Sequence, residues 1–281
     1  MKKILVTGSN GQLGRAINKV FEGNNEIEIV NTDVAELDIT SIDATMAFVK
    51  NIRPYAIINC AAHTGVDACE TDIENAYKIN AIGPRNLSIA ATAAGAKIVH
   101  VSTDYVFEGN GTRSYTEFDA TNPQGVYGAT KLAGENFVKE FSKEYFIIRT
   151  AWLYGDGKNF VKTMLRLAET NDKVRVVGDQ FGSPTSTAEL ARMIAHLLPT
   201  ENYGLFHGTC EGSCSWADFA KEIFRQAEKN TEVEAITTAE YPTPAKRPAY
   251  SVLDNFMLKL TTDFTFAQWQ DALTEYMKEL V

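Results

Sequence analysis

Short runs rich in β-branched residues alternate with helix-like segments through the first two thirds of the chain, and no other feature narrows the fold as much. The runs are KILVT, EIEIV, YAIINC, KIVHVS, EYFIIRT and KVRVV, with helix-like stretches near residues 12–22, 41–52, 72–94, 125–142 and 157–170 between them. Strands of nearly unbroken Ile and Val, separated by helices, belong in a parallel sheet covered on both faces. The expected fold class is therefore α/β, a doubly wound parallel sheet. Right-handed crossovers limit its topology, and its ligand crevice should lie beyond the C-terminal ends of the strands, where the strand order reverses.

The pattern changes after about residue 178. There follow GDQFGSP, a helix near 187–198, the loop GTCEGSCS, a helix near 215–229, and YPTPAKRPAY, whose three prolines mark a loop. This predicts a dinucleotide-binding domain over 1–150 and a smaller, partly interleaved substrate lobe over most of 151–281. Strands near 174–177 and 205–207 are expected to return to the main sheet.

A formal charge of -9 works against attraction to nucleic acid or anionic membrane, so a small-molecule ligand is expected. The N-terminal MKKILVTGSNG has an apolar run too short for a signal-peptide core or a membrane span, which suggests the cytoplasm. Cys60, Cys69, Cys210 and Cys214 are too few for a disulfide framework and lack paired zinc-site spacings, so reduced thiols and no metal are expected. His100, His196 and His207 stand beside apolar residues and suit core or surface positions.

KILVT runs straight into GSNGQLG, which sets Gly8, Gly11 and Gly14 three residues apart just ahead of a helix. A tight turn, close backbone approach and a helix N-terminus together suit a dinucleotide pyrophosphate. The second strand ends in NTDVAELDIT. A carboxylate there accepts hydrogen bonds from an adenosine ribose and repels a 2′-phosphate, so Asp33 favours NADH over NADPH, though Asp33 also suits a turn or a helix cap. Asp38 with Ile39 is a further candidate pair, and no arginine follows the strand to hold a 2′-phosphate. The expected cofactor is NADH or NADPH, with NADH slightly favoured.

HVSTDYVFEG follows the fourth strand, so Ser102, Thr103 and Asp104 emerge at its ligand end. Tyr127 and Lys131 open the next long helix, one turn apart and on the same face. The spacing alone decides nothing, because Tyr154 and Lys158 repeat it in YGDGK, across two glycines that mark a loop. Context favours the first pair. A hydroxyl, a tyrosine and a lysine converging beside a nicotinamide form an acid–base set, and a nearby ammonium favours the phenolate. A diphosphate-bearing substrate needs a cation. The planar guanidinium of Arg247 in AKRPAY is the candidate, and a solvated loop arginine is the alternative.

Through TGSNGQLG, STDYVFEG and YGATK the chain resembles the extended short-chain dehydrogenase/reductases, whose dinucleotide domain is Rossmann-like. INCAAHTGVDACE, KINAIGPRNL, IIRTAWLYGDG, DQFGSPTST and RPAYSVLDN look like the dTDP-4-dehydrorhamnose reductases, and that resemblance covers nearly the whole chain. It implies that Tyr127 donates a proton to the C4 ketone oxygen as hydride arrives, that Lys131 holds the nicotinamide ribose and tunes Tyr127, and that Thr103 hydrogen-bonds the ketone. It further implies a cofactor lining of Asn10, Gly11, Gln12, Leu13, Gly14, Asp38, Ile39, Ala61, Ala62, His63 and Thr64. The sugar would meet Thr64, Val66, Asp104, Tyr105 and Trp152, although a tryptophan after a buried strand fits a core equally well.

Related dehydratases carry an Asp-Glu pair after the threonine, whereas Asp104 is followed here by Tyr105, which argues for reduction. A 4-epimerase shares the tyrosine and lysine and stays open, as does a regulatory subunit that binds a dinucleotide without catalysis. Some relatives form Mg²⁺-bridged dimers through a carboxylate just after the third glycine. Arg15 stands there, and a cation does not ligate Mg²⁺, so a monomer or a homodimer without that bridge is expected.

Overall fold

The computed structural model describes residues 1–280. The chain runs β1 (Lys2–Thr7), α1 (Gln12–Val20), β2 (Ile27–Thr32), α2 (Ile42–Ile52), β3 (Ala56–Asn59), and the short α3 (Val66–Cys69) and α4 (Ile73–Tyr77). A π-helical turn (Lys78–Ile82) leads into α5 (Gly83–Ala94), β4 (Lys97–Thr103), a 3-10 turn (Asp104–Val106), α6 (Val126–Phe141) and β5 (Tyr145–Thr150). Next come β6 (Leu153–Tyr154), α7 (Phe160–Ala168), β7 (Lys173–Val177), β8 (Phe181–Gly182), β9 (Thr185–Ser186), α8 (Thr187–Leu197) and β10 (Gly204–His207). The remaining elements are β11 (Cys214–Ser215), α9 (Trp216–Gln226), β12 (Glu232–Ile236), a 3-10 turn (Thr238–Glu240), α10 (Phe256–Thr261) and α11 (Trp269–Lys278).

Six strands form one parallel sheet in the order β10-β5-β4-β3-β1-β2. Neighbouring residues of a strand go to opposite faces. Leu5, Ile57, Ile98 and Ile147 pack with Val49, Leu87 and Val138 of α2, α5 and α6. Val6, Ile58, Val99 and Ile148 pack on the other face with Ile17 of α1 and Ile194 of α8. Coverage on both faces is what makes these strands almost continuously apolar. The order reverses between β1 and β3, because the chain adds β2 on one side and then returns to build the other. Loops leaving those two strands diverge and open a crevice.

The strand expected near 174–177 does not return to this sheet. β7 pairs in parallel with β12 in a separate two-stranded sheet, under α9. The reason lies in its side chains: Lys173 and Arg175 are exposed and reach Glu234 and Glu240, so only one face of β7 is apolar enough to bury. β10 takes the place beside β5. A second difference falls in the stretch read as one helix over 72–94. It is broken by the π-helical turn, which leaves Asn80 fully buried. Among the described residues no helix is long and apolar enough to cross a membrane.

Behind the crevice, β5 and α6 are joined by an ion pair with no access to water. Arg149 Nε and Nη2 donate to the two oxygens of Glu135 at 2.9 and 2.7 Å, and Ser102 Oγ donates to Oε1 at 2.6 Å. The side chains are 2% and 0% exposed. Removing Arg149 leaves the buried Glu135 charge with only the longer Lys139 contact at 3.7 Å, and breaking a buried pair costs about 3–5 kcal/mol. Arg149→Met should therefore lower the unfolding free energy by an amount of that order, and Glu135→Leu added to it should recover part of the loss. A double-mutant cycle in urea measures both.

Candidate active site

The glycine turn is built from backbone contacts that leave no space for side chains. Gly8 has φ +66°, and a β-carbon there would lie 2.7 Å from the Ala61 nitrogen. One on Gly14 would lie 2.5 Å from the Gly8 carbonyl oxygen. Thus β1, α1 and the segment after β3 meet as closely as backbones can. Gly11 caps α1 without a side-chain hydrogen bond, and no acidic residue occupies the first helical turn. The N-terminal N–H groups of α1 are left to a ligand, and with the helix dipole they suit an anionic pyrophosphate.

A cleft of ≈ 780 Å³ opens over this turn. Gly8, Asn10, Gly11, Gln12, Leu13, Gly14, Asp33, Asp38, Ile39, Ala61, Ala62 and Thr64 all line it. Asp33 accepts the Asn10 N–H at 3.3 Å and so ties the end of β2 to the turn. The Asp38 carboxylate accepts from Thr40 N and Oγ1 at 2.9 and 2.7 Å. His63 is the exception. Its ring turns toward Cys69 Sγ and Asp72, each 3.5 Å away, and it does not line the cleft. Asn80 accepts the His63 N–H at 2.8 Å and donates to its carbonyl at 3.1 Å, clamping the 61–64 segment from the π-helical turn. Sequence reading missed Asn80, whose only signal was KINAIGP.

Thr103, Asp104, Tyr105, Tyr127 and Lys131 converge in the same cleft. Gly128 makes this approach possible, since a β-carbon there would sit 2.1 Å from the Tyr105 carbonyl oxygen. The Glu70 carboxylate accepts the Val126 N–H at 2.9 Å and fixes the start of α6. Lys131 Nζ donates to the Val101 carbonyl at 2.6 Å. Burial pushes its pKa down to about 8, with Glu135 and then Cys60 holding it up. The expectation that the lysine favours a phenolate at Tyr127 is not met. Burial drives the Tyr127 hydroxyl well above its usual range against a hydrogen bond with Thr103, and Asp104 raises it further. The group is thus kept protonated, which is the form a proton donor needs.

Val66, Trp152 and Trp216 also line the cleft. Trp152 holds a left-handed backbone (φ +49°), which a bulky residue rarely adopts. Its ring stacks on Trp216 at 3.5 Å, and a β-carbon on Gly182 would come within 2.4 Å of it. Trp216 was not singled out from sequence, because it opens a helix far from every motif. Arg247 stands off the cleft lining. Its Nη2 donates to Asp67 at 2.6 Å, and its guanidinium lies near enough to Tyr105 to act against the burial that raises that hydroxyl's pKa. It is therefore not the free loop arginine of the alternative reading.

Residues 1–281 match the family model of the RmlD substrate binding domain. The chain belongs to that family. As an RmlD family member it is 41% identical over 286 residues to the dTDP-4-dehydrorhamnose reductase of Aggregatibacter actinomycetemcomitans, with 97% of each chain covered. A solved dTDP-4-dehydrorhamnose reductase from Clostridium acetobutylicum is 56% identical, superposes with a TM-score of 0.97 and covers 99% of each chain. The Bacillus anthracis reductase solved in complex with NADP is 45% identical, with a TM-score of 0.96 over 99% of this chain and 100% of that one.

Asp104 gives the site of this RmlD family member a pH signature. Burial raises its carboxyl from 3.8 to about 6, opposed by hydrogen bonds from Ser251, Thr103 and backbone, and Oδ2 has no partner. Because the folded value is raised, the native state is favoured by the proton below 3.8, and that contribution is lost as pH rises through about 6. Asp104→Asn should raise the melting temperature relative to wild type at about pH 8, and the gain should shrink toward about pH 4. Thermal scans across that range check it.

Proposed function

We propose that the protein reduces the C4 ketone of dTDP-4-dehydro-L-rhamnose to dTDP-L-rhamnose. What carries this reading is the convergence of Thr103, Tyr127 and Lys131 on a cleft that also holds the glycine turn, in a chain matching the reductase family along its whole length. Reduced nicotinamide, as NADH or NADPH, supplies the hydride. Tyr127 gives its phenolic proton to the ketone oxygen as charge develops there, and Thr103 holds that oxygen by a hydrogen bond. Lys131, anchored on Val101, presents its ammonium to the nicotinamide ribose and offsets the charge left on Tyr127. The Trp152–Trp216 stack offers an apolar face to the deoxysugar. Arg247 serves the diphosphate by exchanging Asp67 for phosphate oxygens.

Asp33, which lines the cleft and accepts the Asn10 N–H of the glycine turn, is read as the acceptor for the adenosine ribose. The NADP-bound reductase of B. anthracis gives reason to expect that the 2′-phosphate is also tolerated. Arg15 is held by Asp156 at 2.7 Å, which supports a monomer or a homodimer built without a Mg²⁺ bridge at α1. The cytoplasm, where reduced dinucleotide is replenished, is the compartment this reading requires.

Loss of absorbance at the reduced-nicotinamide band, with dTDP-4-dehydro-L-rhamnose supplied, tests the assignment. Wild type should oxidise the cofactor, and Tyr127→Phe should lose about 100-fold or more in kcat while still binding it. A folded, cofactor-binding wild type that leaves this substrate untouched would refute the proposal. The pH profile supplies a second check. With Tyr127 protonated across the working range, kcat/KM for reduction should fall as pH rises past about 8, where Lys131 loses its charge.

A further inference from the structure

The second tyrosine–lysine match, Tyr154 and Lys158, has no part in this chemistry. Tyr154 is 1% exposed, and its ring packs against Phe219 and Tyr276. Lys158, four residues on, is exposed and lines the cleft. The loop that carries it is fastened to the glycine turn. The Gly155 N–H donates to Gln12 Oε1 at 2.8 Å, and Arg15 Nη1 donates to Asp156 at 2.7 Å. A β-carbon on Gly157 would lie 3.1 Å from Gln12 Cγ. From behind, the Tyr276 hydroxyl and Asn159 Nδ2 both donate to the Gly155 carbonyl, at 2.7 and 2.6 Å. The loop is thus pinned on two sides, and its one long side chain, Lys158, lines the same cleft as the glycine turn and the start of α1.

Charge accounting singles out that side chain. Arg15 and Lys162 share the Asp156 carboxylate, and Lys131 is committed to the Val101 carbonyl. Lys158 has no carboxylate within ion-pair distance and no side-chain hydrogen bond among the described residues. A pyrophosphate carries about two negative charges, and the N-terminus of α1 offsets only about half of one. We infer that Lys158 binds the pyrophosphate of the nicotinamide dinucleotide, delivered by a loop that Gln12 and Arg15 hold against the glycine turn. This role rests on the cofactor reading above. The diphosphate of the sugar substrate is a poorer match, because every anchor of the loop on the cleft side belongs to the glycine turn and α1, whereas Arg247 lies with Tyr105 and Asp67.

The test is equilibrium binding to the full chain, without turnover. NADH is titrated by fluorescence and dTDP by calorimetry, for wild type and Lys158→Ala. The variant removes an exposed side chain with no partner, so its circular dichroism and melting temperature should match wild type. NADH affinity should weaken about tenfold and depend less steeply on salt, with dTDP affinity unchanged. Unchanged NADH affinity in folded Lys158→Ala overturns the assignment, and so does a loss confined to dTDP or equal for both ligands. A wild type that binds neither NADH nor NADPH defeats the cofactor reading itself, a result distinct from any of these.

Discussion

Three missing β-carbons hold this site together. Gly8 lets β1 turn directly against the segment after β3, Gly14 lets α1 fold back on that turn, and Gly128 lets α6 press on the Tyr105 carbonyl. Each contact is backbone against backbone, at distances no side chain tolerates. The cleft is the space left where these three approaches are closest. Its polar edge is made of main-chain N–H groups and its reactive edge of a few side chains carried on rigid strands and helices.

Electrostatics at the site follow from that compactness. Burial penalises charge, so Tyr127 is held neutral, Asp104 drifts upward and Lys131 drifts downward. The Glu135 carboxylate, locked to Arg149 and Ser102, is the counterweight that keeps Lys131 cationic near neutrality. The same buried pair joins β5 to α6, so the fold and the protonation state of the lysine share one interaction.

The C-terminal part of the chain meets the N-terminal part through a few crossings. Trp216 on α9 stacks on Trp152, Arg247 reaches Asp67 of α3, and Ala245 donates its N–H to the same carboxylate. These contacts join parts of the chain far apart in sequence, whereas the glycine-turn side of the cleft is almost wholly local in origin.

The repeating strand and helix pattern, the glycine turn and the Tyr127–Lys131 helix face were legible because each rests on spacing within one element or one turn. Asp33 and Asp38 were legible for the same reason, at the end of a strand next to the turn. β7 was misassigned because a short Val-rich run says what a strand buries and not which strand lies beside it; the alternation of Lys173 and Arg175 was the available signal. The π-helical turn that aims Asn80 at the 61–64 segment, the caging of His63 by Cys69 and Asp72, and the Trp152–Trp216 stack depend on distant partners, as does the raised pKa of Tyr127. The sequence by itself determined the parallel α/β layers, and it placed the glycine turn and the Tyr127–Lys131 pair on the elements that line the cleft, since periodicity and local backbone chemistry are written along the chain. Only the tertiary structure decided which groups lose water and which charges meet, because burial and pairing are properties of segments brought together across the sheet.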